Sequence, residues 1–228
     1  MTIDYHAQTV LLTGASSGIG ASFAAALAAR GSNLVLVARR AQRLASTVDG
    51  LRRQYGVRVE TIPFDLSRPA AGSELREAVA DRGVAVTSLI NNAVFGTFGP
   101  FAESDPERHA AEIAVDAAAP VQLTAAFMPQ MLSAAHGFII NVAGVSAYFP
   151  SPRMAVYSTG APENTRRRVT TAARGLAAEL PAHTSVHPRC LGCGAAFRHR
   201  TNRLGGRPAA DPAGGWHRSK ALALTGAP

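Results

Sequence analysis

Thr13-Gly14-Ala15-Ser16-Ser17-Gly18-Ile19-Gly20 stands directly behind the apolar run Val10-Leu11-Leu12 and directly ahead of a helical pattern. A strand that ends in a glycine-rich turn and opens a helix gathers backbone N–H groups at the helix N-terminus, where the aligned peptide dipoles favour a bound anion. Gly14 permits the tight turn, Gly18 lets the backbone approach a pyrophosphate, and Gly20 lets the helix lie close on the strand. The spacing is GxxxGxG rather than the commoner GxGxxG, and a tight strand-to-helix turn without a ligand has the same local sequence. Ile19, Phe23 and Leu27 recur at helical spacing and residues 34–37 form a second apolar run, so the turn sits inside a βαβ unit.

The alternation continues along the chain. Residues 33–37 are followed by Ala38-Arg39-Arg40. In a doubly wound sheet the residue just past the second strand meets an adenosine ribose, where an acid bonds a 2′-hydroxyl and an arginine forks onto a 2′-phosphate. Arg39 therefore argues for NADP over NAD, with Arg40 and Arg43 as weaker candidates; an exposed arginine at a helix start is the plain alternative. Leu44, Val48 and Leu51 give the next helix its buried stripe, and Leu75 with Val79 does so for another. Residues 57–62, 87–90 and 138–142 are the third, fourth and fifth strands. Residues 106–133 form a long helical region that Pro120 and Pro129 kink or divide. Near-continuous apolar strands alternating with helices predict an α/β fold, a doubly wound parallel sheet covered on both faces in three αβα layers.

These residues resemble the classical short-chain dehydrogenase/reductase family, whose cofactor motif is TGxxxGxG, over roughly residues 9–197, closely up to Tyr157 and loosely after it. The resemblance implies a Rossmann-type domain with the dinucleotide held by Gly14, Ser16, Ser17, Gly18, Ile19, Gly20 and Arg39, and with Asp65 and Leu66 beside its adenine. An N-cap is the competing role for Asp65. It also implies cofactor contacts from Asn91 and Ala93, in Asn91-Asn92-Ala93-Val94 where the family has NNAG; Val94 is costly there wherever φ must be positive. The implied chemistry is hydride exchange between a nicotinamide and a carbonyl or alcohol, with Tyr157 as the proton donor. The family's serine, lysine and asparagine, however, fall on Gly144, Ala161 and Asp116, and Lys220 is the only lysine in the chain. Ser146, Arg153 and residues 166–168 are remote substitutes, since guanidinium geometry is not that of an ammonium. Cys190-Leu191-Gly192 stands where the family often has Pro-Gly, and Ala196 where it has a threonine near the nicotinamide amide. Two readings follow: an NADP-dependent oxidoreductase acting on an unspecified small molecule, or a nucleotide-binding relative without catalysis. A homo-oligomer is expected from the family alone, whose members usually continue through one more strand.

A chain of 228 residues suits a single domain, residues 1–228, patterned over 1–160 and divergent over 161–228. No charged leader with an apolar core and no run of 18 apolar residues is present, and Cys190 and Cys193 are too few for a disulfide framework, so a cytoplasmic location is expected, with no membrane partner. The net charge of +8 is confined to the tail: residues 1–160 hold twelve arginines and twelve acids, whereas 161–228 hold ten arginines, one lysine and three acids. Without interleaved aromatics this is read as a solvated segment rather than a nucleic-acid surface, and no nucleic-acid partner is expected. An abrupt rise in charge where the pattern fades is also what a frame-shifted segment produces. His187, Cys190, Cys193 and His199 can be written as a zinc set, but one CxxC in an Arg- and Gly-rich segment is read as chance spacing, and no metal is expected.

Overall fold

The computed structural model describes residues 3–144 and 152–160, with side chains as far as Tyr157, and the backbone of residues 185–190. All of these fall in the compact unit Met1–Arg198. The elements run β1 (Thr9–Thr13), α1 (Gly18–Ala28), β2 (Asn33–Ala38), α2 (Ala41–Tyr55), β3 (Val59–Pro63), α3 (Ala71–Ala80) and β4 (Ser88–Asn91). They continue with α4 (Pro106–Ile113), α5 (Ala119–Ala134), β5 (Phe138–Ala143), α6 (Ala155–Gly160) and β6 (Ser185–Cys190). The strands form one sheet in the order β3-β2-β1-β4-β5-β6, every pair parallel.

Side-chain alternation along the central strands builds the three layers. Val10 and Leu12 of β1, with Leu34 and Leu36 of β2, pack with Ala24, Leu27, Leu44, Val48 and Leu51 on the α1/α2 side. Leu11, Val35 and Val37 face the other way, onto Leu75 and Val79 of α3 and Leu123 and Phe127 of α5. The stripe expected on α1 is corrected at one place: Ile19 is half exposed, and the helix buries Gly20, Ala24, Leu27 and Ala28 instead. The third strand begins at Val59 rather than 57 because α2 ends on Gly56 in the left-handed conformation, φ 65°, and the chain must leave that turn before it can pair.

The helical region that begins at Pro106 runs to Ala134. Pro106 occupies the first turn of α4, behind Asp105, whose carboxylate accepts from the Glu107 N–H. Between α4 and α5 the backbone widens into one π turn, Ala114–Ala118. Pro120 stands just after it, and a proline ring collides with the carbonyl four residues back, here that of Asp116; the widened turn relieves that collision, so the run is divided at Pro120 into two helices without an intervening loop. Pro129 lies inside α5.

In sheets of this order the chain leaves β1 and β4 towards opposite faces, and a crevice opens beyond their C-terminal ends. Polar bonds brace its floor. Thr13 Oγ1 accepts from the N–H groups of Asn92 (2.9 Å) and Ala93 (3.0 Å), and Asn92 Nδ2 donates back to the carbonyl of Thr13 at 3.0 Å.

Candidate functional site

The crevice is a cleft of about 440 Å³, within the range of small-molecule sites. Its walls carry Gly14, Ser16, Ser17, Gly18, Ile19 and Gly20 from the first turn, Arg39 and Arg40 from the end of β2, Asp65 and Leu66 from the end of β3, and Ala93 from the end of β4. Ten of the eleven cofactor positions expected from sequence are thus brought together. Asn91 is not: it points away within β4, donating from Nδ2 to Asn141 Oδ1 at 2.8 Å. Its neighbour Asn92 lines the cleft instead. Consecutive strand residues face opposite ways, so of two adjacent asparagines only one can reach the crevice.

The glycine turn has the geometry of an anion cradle. Gly14 sits at φ 66° and Gly18 at φ 54°, both in the left-handed region. A Cβ placed on Gly18 meets nothing within 4 Å, so its backbone faces open space, whereas one placed on Gly20 would come within 2.2 Å of the Gly14 carbonyl oxygen. Ser17 precedes α1 in an extended conformation and makes no side-chain cap, and the first turn of α1 holds no acid. The amides at this helix end therefore have neither a capping oxygen nor a fixed negative charge, and both are what an anion in the cleft supplies.

On the wall of the cleft Arg39 is exposed, its guanidinium 5.6 Å from the centre of the Phe95 ring. The N-cap alternative for Asp65 does not hold, since α3 begins at Ala71. Asp65 Oδ1 instead accepts from the N–H and hydroxyl of Ser67, at 3.0 and 2.9 Å. The Ser67 N–H is the main reason its carboxyl stays below the usual carboxylate range; partial burial opposes this, and the Ser67 hydroxyl, Arg39 and Arg68 add to it. Val94 carries no backbone strain: the only non-glycine residues with positive φ among the described ones are Ala135 and Arg153, and Val94 is half exposed at the cleft wall. Phe64, Phe95, Val115 and Val142 also line the cleft and were not singled out from sequence. Three of these follow or end a strand at the same edge of the sheet, which was the signal available for them.

Tyr157 lies on α6, half buried, with its ring against Gly96 of the loop after β4. Gly144 follows β5 directly. Asp116 is in the π turn, nearly buried, and its Oδ1 accepts from the Phe95 N–H at 3.1 Å. Burial pushes its carboxyl up to about 7; the Phe95 N–H opposes the rise and the neighbouring Glu112 adds to it. Ser146, Ala161, Cys193, Ala196 and His199 lie outside the described residues, as do the side chains of His187 and Cys190 on β6. No helix among the described residues is long and apolar enough to cross a membrane.

The chain matches the short chain dehydrogenase family over residues 8–192. It is 32% identical to a very-long-chain 3-oxoacyl-CoA reductase of Phaeosphaeria nodorum, over 79% of this chain and 52% of that protein. It is 30% identical to an uncharacterized oxidoreductase of Staphylococcus saprophyticus, over 81% of this chain and 76% of that one. The chain thus spans about half the length of the reductases it matches. Among solved structures, a metagenomic short-chain oxidoreductase in complex with NADP superposes with a TM-score of 0.72 at 31% identity, covering 81% of each chain. A short-chain dehydrogenase from Sphingobium yanoikuyae in complex with NADPH superposes at 0.70 and 35%, covering 80% of this chain and 70% of that one. A doubly wound sheet in the order 3-2-1-4-5-6, the TGASSGIG turn at its crevice and a family match across most of the chain agree: the protein belongs to the short-chain dehydrogenase family.

Proposed function

We propose that this chain is an NADP-dependent oxidoreductase that interconverts a carbonyl and an alcohol on a small molecule. The observation that carries the reading is the cleft at the β1/β4 crevice, where uncapped α1 amides stand at one place and Arg39 at another. Gly14, Gly18 and the amides opening α1 hold the pyrophosphate, Asp65, Leu66 and Ala93 flank the adenosine, and Arg39 takes the 2′-phosphate as a fork. The family relationship and the NADP and NADPH complexes of the two similar structures support the same assignment. Bound there, the nicotinamide supplies hydride chemistry. Tyr157 then holds the substrate oxygen and gives it a proton during carbonyl reduction.

Carbonyl reduction asks least of this site, because a neutral phenol can donate a proton without the lysine that the family uses to favour the phenolate. The second reading, nucleotide binding without turnover, is favoured by Gly144, Ala161 and Asp116 at the three positions the resemblance assigns to catalysis. We further propose a cytoplasmic homo-oligomer: the family relationship supports both parts of this reading, and the half-exposed Ile113 on α4 and Val121 on α5 support only the contact between copies.

Fluorescence titration with NADPH and NADH tests the cofactor assignment. Arg39→Ala is expected to weaken NADPH about tenfold or more, the loss of a charge-assisted pair, and to leave NADH unchanged. Turnover of NADPH against a panel of aldehydes and ketones, compared in Tyr157→Phe, separates the two functional readings. Binding without turnover that Tyr157→Phe alters in no way rejects the enzyme.

The two glycines separate cradle from fold. Gly20→Ala drives a Cβ into the Gly14 carbonyl and is expected to cost about 2–3 kcal/mol in urea unfolding. Gly18→Ala meets no atom and costs about 1 kcal/mol for its φ, yet puts a methyl at the face the phosphate approaches, so NADPH affinity falls while the fold survives. Equal losses of stability in the two variants contradict this geometry.

A further inference from the structure

Two buried carboxylates on one helical face have no part in the mechanism above. Glu112, near the end of α4, is fully buried, and Asp116 follows it in the π turn. Both reach the same three-residue segment after β4. Asp116 Oδ1 accepts from the Phe95 N–H and Glu112 Oε2 from the Thr97 N–H, each at 3.1 Å. Their other oxygens, Oδ2 and Oε1, are buried with no hydrogen-bond partner among the described residues. Half-satisfied carboxylates are costly to bury, and two of them four residues apart repel each other when ionised. Apolar side chains at both places would pack at less cost, so the arrangement calls for a use.

Gly96, between the two held amides, supports Tyr157. A Cβ at position 96 would come within 2.9 Å of Tyr157 Cδ2 and 3.4 Å of Met154 Cε, so the ring lies directly on this backbone. The same loop ties down the approach to α6: the Gly99 N–H donates to the Arg153 carbonyl at 2.9 Å, and the Arg153 guanidinium lies 4.8 Å from the centre of the Phe98 ring. α4 and the π turn themselves pack against α6. The height of residues 95–97 therefore sets where the tyrosine ring can rest.

We infer that Glu112 is a positioning residue for Tyr157: with Asp116 it holds both ends of the Phe95-Gly96-Thr97 segment on which the ring lies. Only the catalytic consequence rests on the proposed role of Tyr157; the seating of the ring does not. The other groups around Glu112 leave it the task of fixing the Thr97 backbone. Arg108 Nε donates to the Thr97 hydroxyl at 3.1 Å and so holds the side chain only. His109 Nδ1 stands 4.0 Å from Glu112 Oε2, too far for a hydrogen bond, with its ring stacked on Phe101.

The full chain carrying ring-¹³C tyrosine tests this, with the Tyr157 resonance assigned by its loss in Tyr157→Phe. Glu112→Ala is expected to move that resonance as Gly96→Ala does, while the lines of Tyr5 and Tyr55, which pack on the α1/α2 side, stay in place. Glu112→Gln keeps an acceptor for the Thr97 N–H and is expected to return the line to its wild-type position. In turnover, Glu112→Ala lowers kcat about 10- to 100-fold with the KM for NADPH nearly constant, the signature of a misplaced donor. An unmoved Tyr157 line in Glu112→Ala, or a Glu112→Gln line as displaced as that of Glu112→Ala, overturns the inference. Should Glu112→Ala fail to fold, Glu112→Asp, which withdraws the carboxylate by one methylene, decides in the same way. Turnover that survives Tyr157→Phe removes the proton-donor role of Tyr157, not the seating of its ring, and leaves the ring measurement to judge Glu112 alone.

Discussion

Asp116→Asn is expected to stabilise the folded chain, increasingly so as the pH is raised. The side chain is nearly buried and its carboxyl is pushed from 3.8 up to about 7, by desolvation first and by Glu112 second. Between pH about 4 and about 7 the folded state therefore holds a proton that the unfolded state has released, and stability falls as the pH rises through that window. Above it the loss is complete. The rise from 3.8 to about 7 corresponds to about 4 kcal/mol, at about 1.4 kcal/mol for each pH unit. Asparagine is neutral throughout and keeps an oxygen for the Phe95 N–H, so the variant escapes this penalty. Urea unfolding at several pH values from 4 to 8.5 checks it. The two proteins should coincide at the acid end and diverge upwards to neutrality; a gap that ignores pH, or a variant weaker throughout, contradicts the assignment of a buried, unpaired carboxyl.

Gly144→Ser combined with Ala161→Lys is expected to raise NADPH-dependent carbonyl turnover by about 10²- to 10³-fold, the worth of a single well-placed donor to the reacting oxygen. Gly144 follows β5 directly, at the sheet edge where β1 and β4 open the cleft. Position 161 lies outside the described residues, and it is the resemblance that assigns it the family's lysine, four residues after Tyr157. An ammonium there lowers the phenol pKa by its charge, so alcohol oxidation, which needs the phenolate, should gain more from lysine than carbonyl reduction does. The serine alone should help both directions. A folded double variant with no gain means that Tyr157 is not placed to meet a substrate oxygen, and the binding-only reading then stands.

Features that depend on local chemistry are legible in the chain. The apolar run at β1, the glycine turn and the α1 pattern lie within some twenty residues and carry their own steric reasons, since φ values near +60° at Gly14 and Gly18 and a close approach at Gly20 are requirements that side chains declare by their absence. Alternating strands and helices then fixed a doubly wound sheet, and its switch point follows from strand order. Where neighbouring residues compete for one face, the chain was silent. Asn91 and Asn92 are chemically identical, and only the register of β4 against β1, Leu11 with Leu89 and Leu12 with Ile90, turns Asn92 to the crevice and Asn91 to Asn141. Asp116 was legible as a departure from the resembled asparagine, but its raised pKa was not, because desolvation is set by residues far away in the chain that close over the π turn. Glu112 gave no signal at all. Its position on α4 is that of an ordinary helix acid until the loop after β4 folds back and presents the Thr97 N–H. Backbone conformation is written in the residues that must adopt it, whereas burial and orientation belong to the assembled layers.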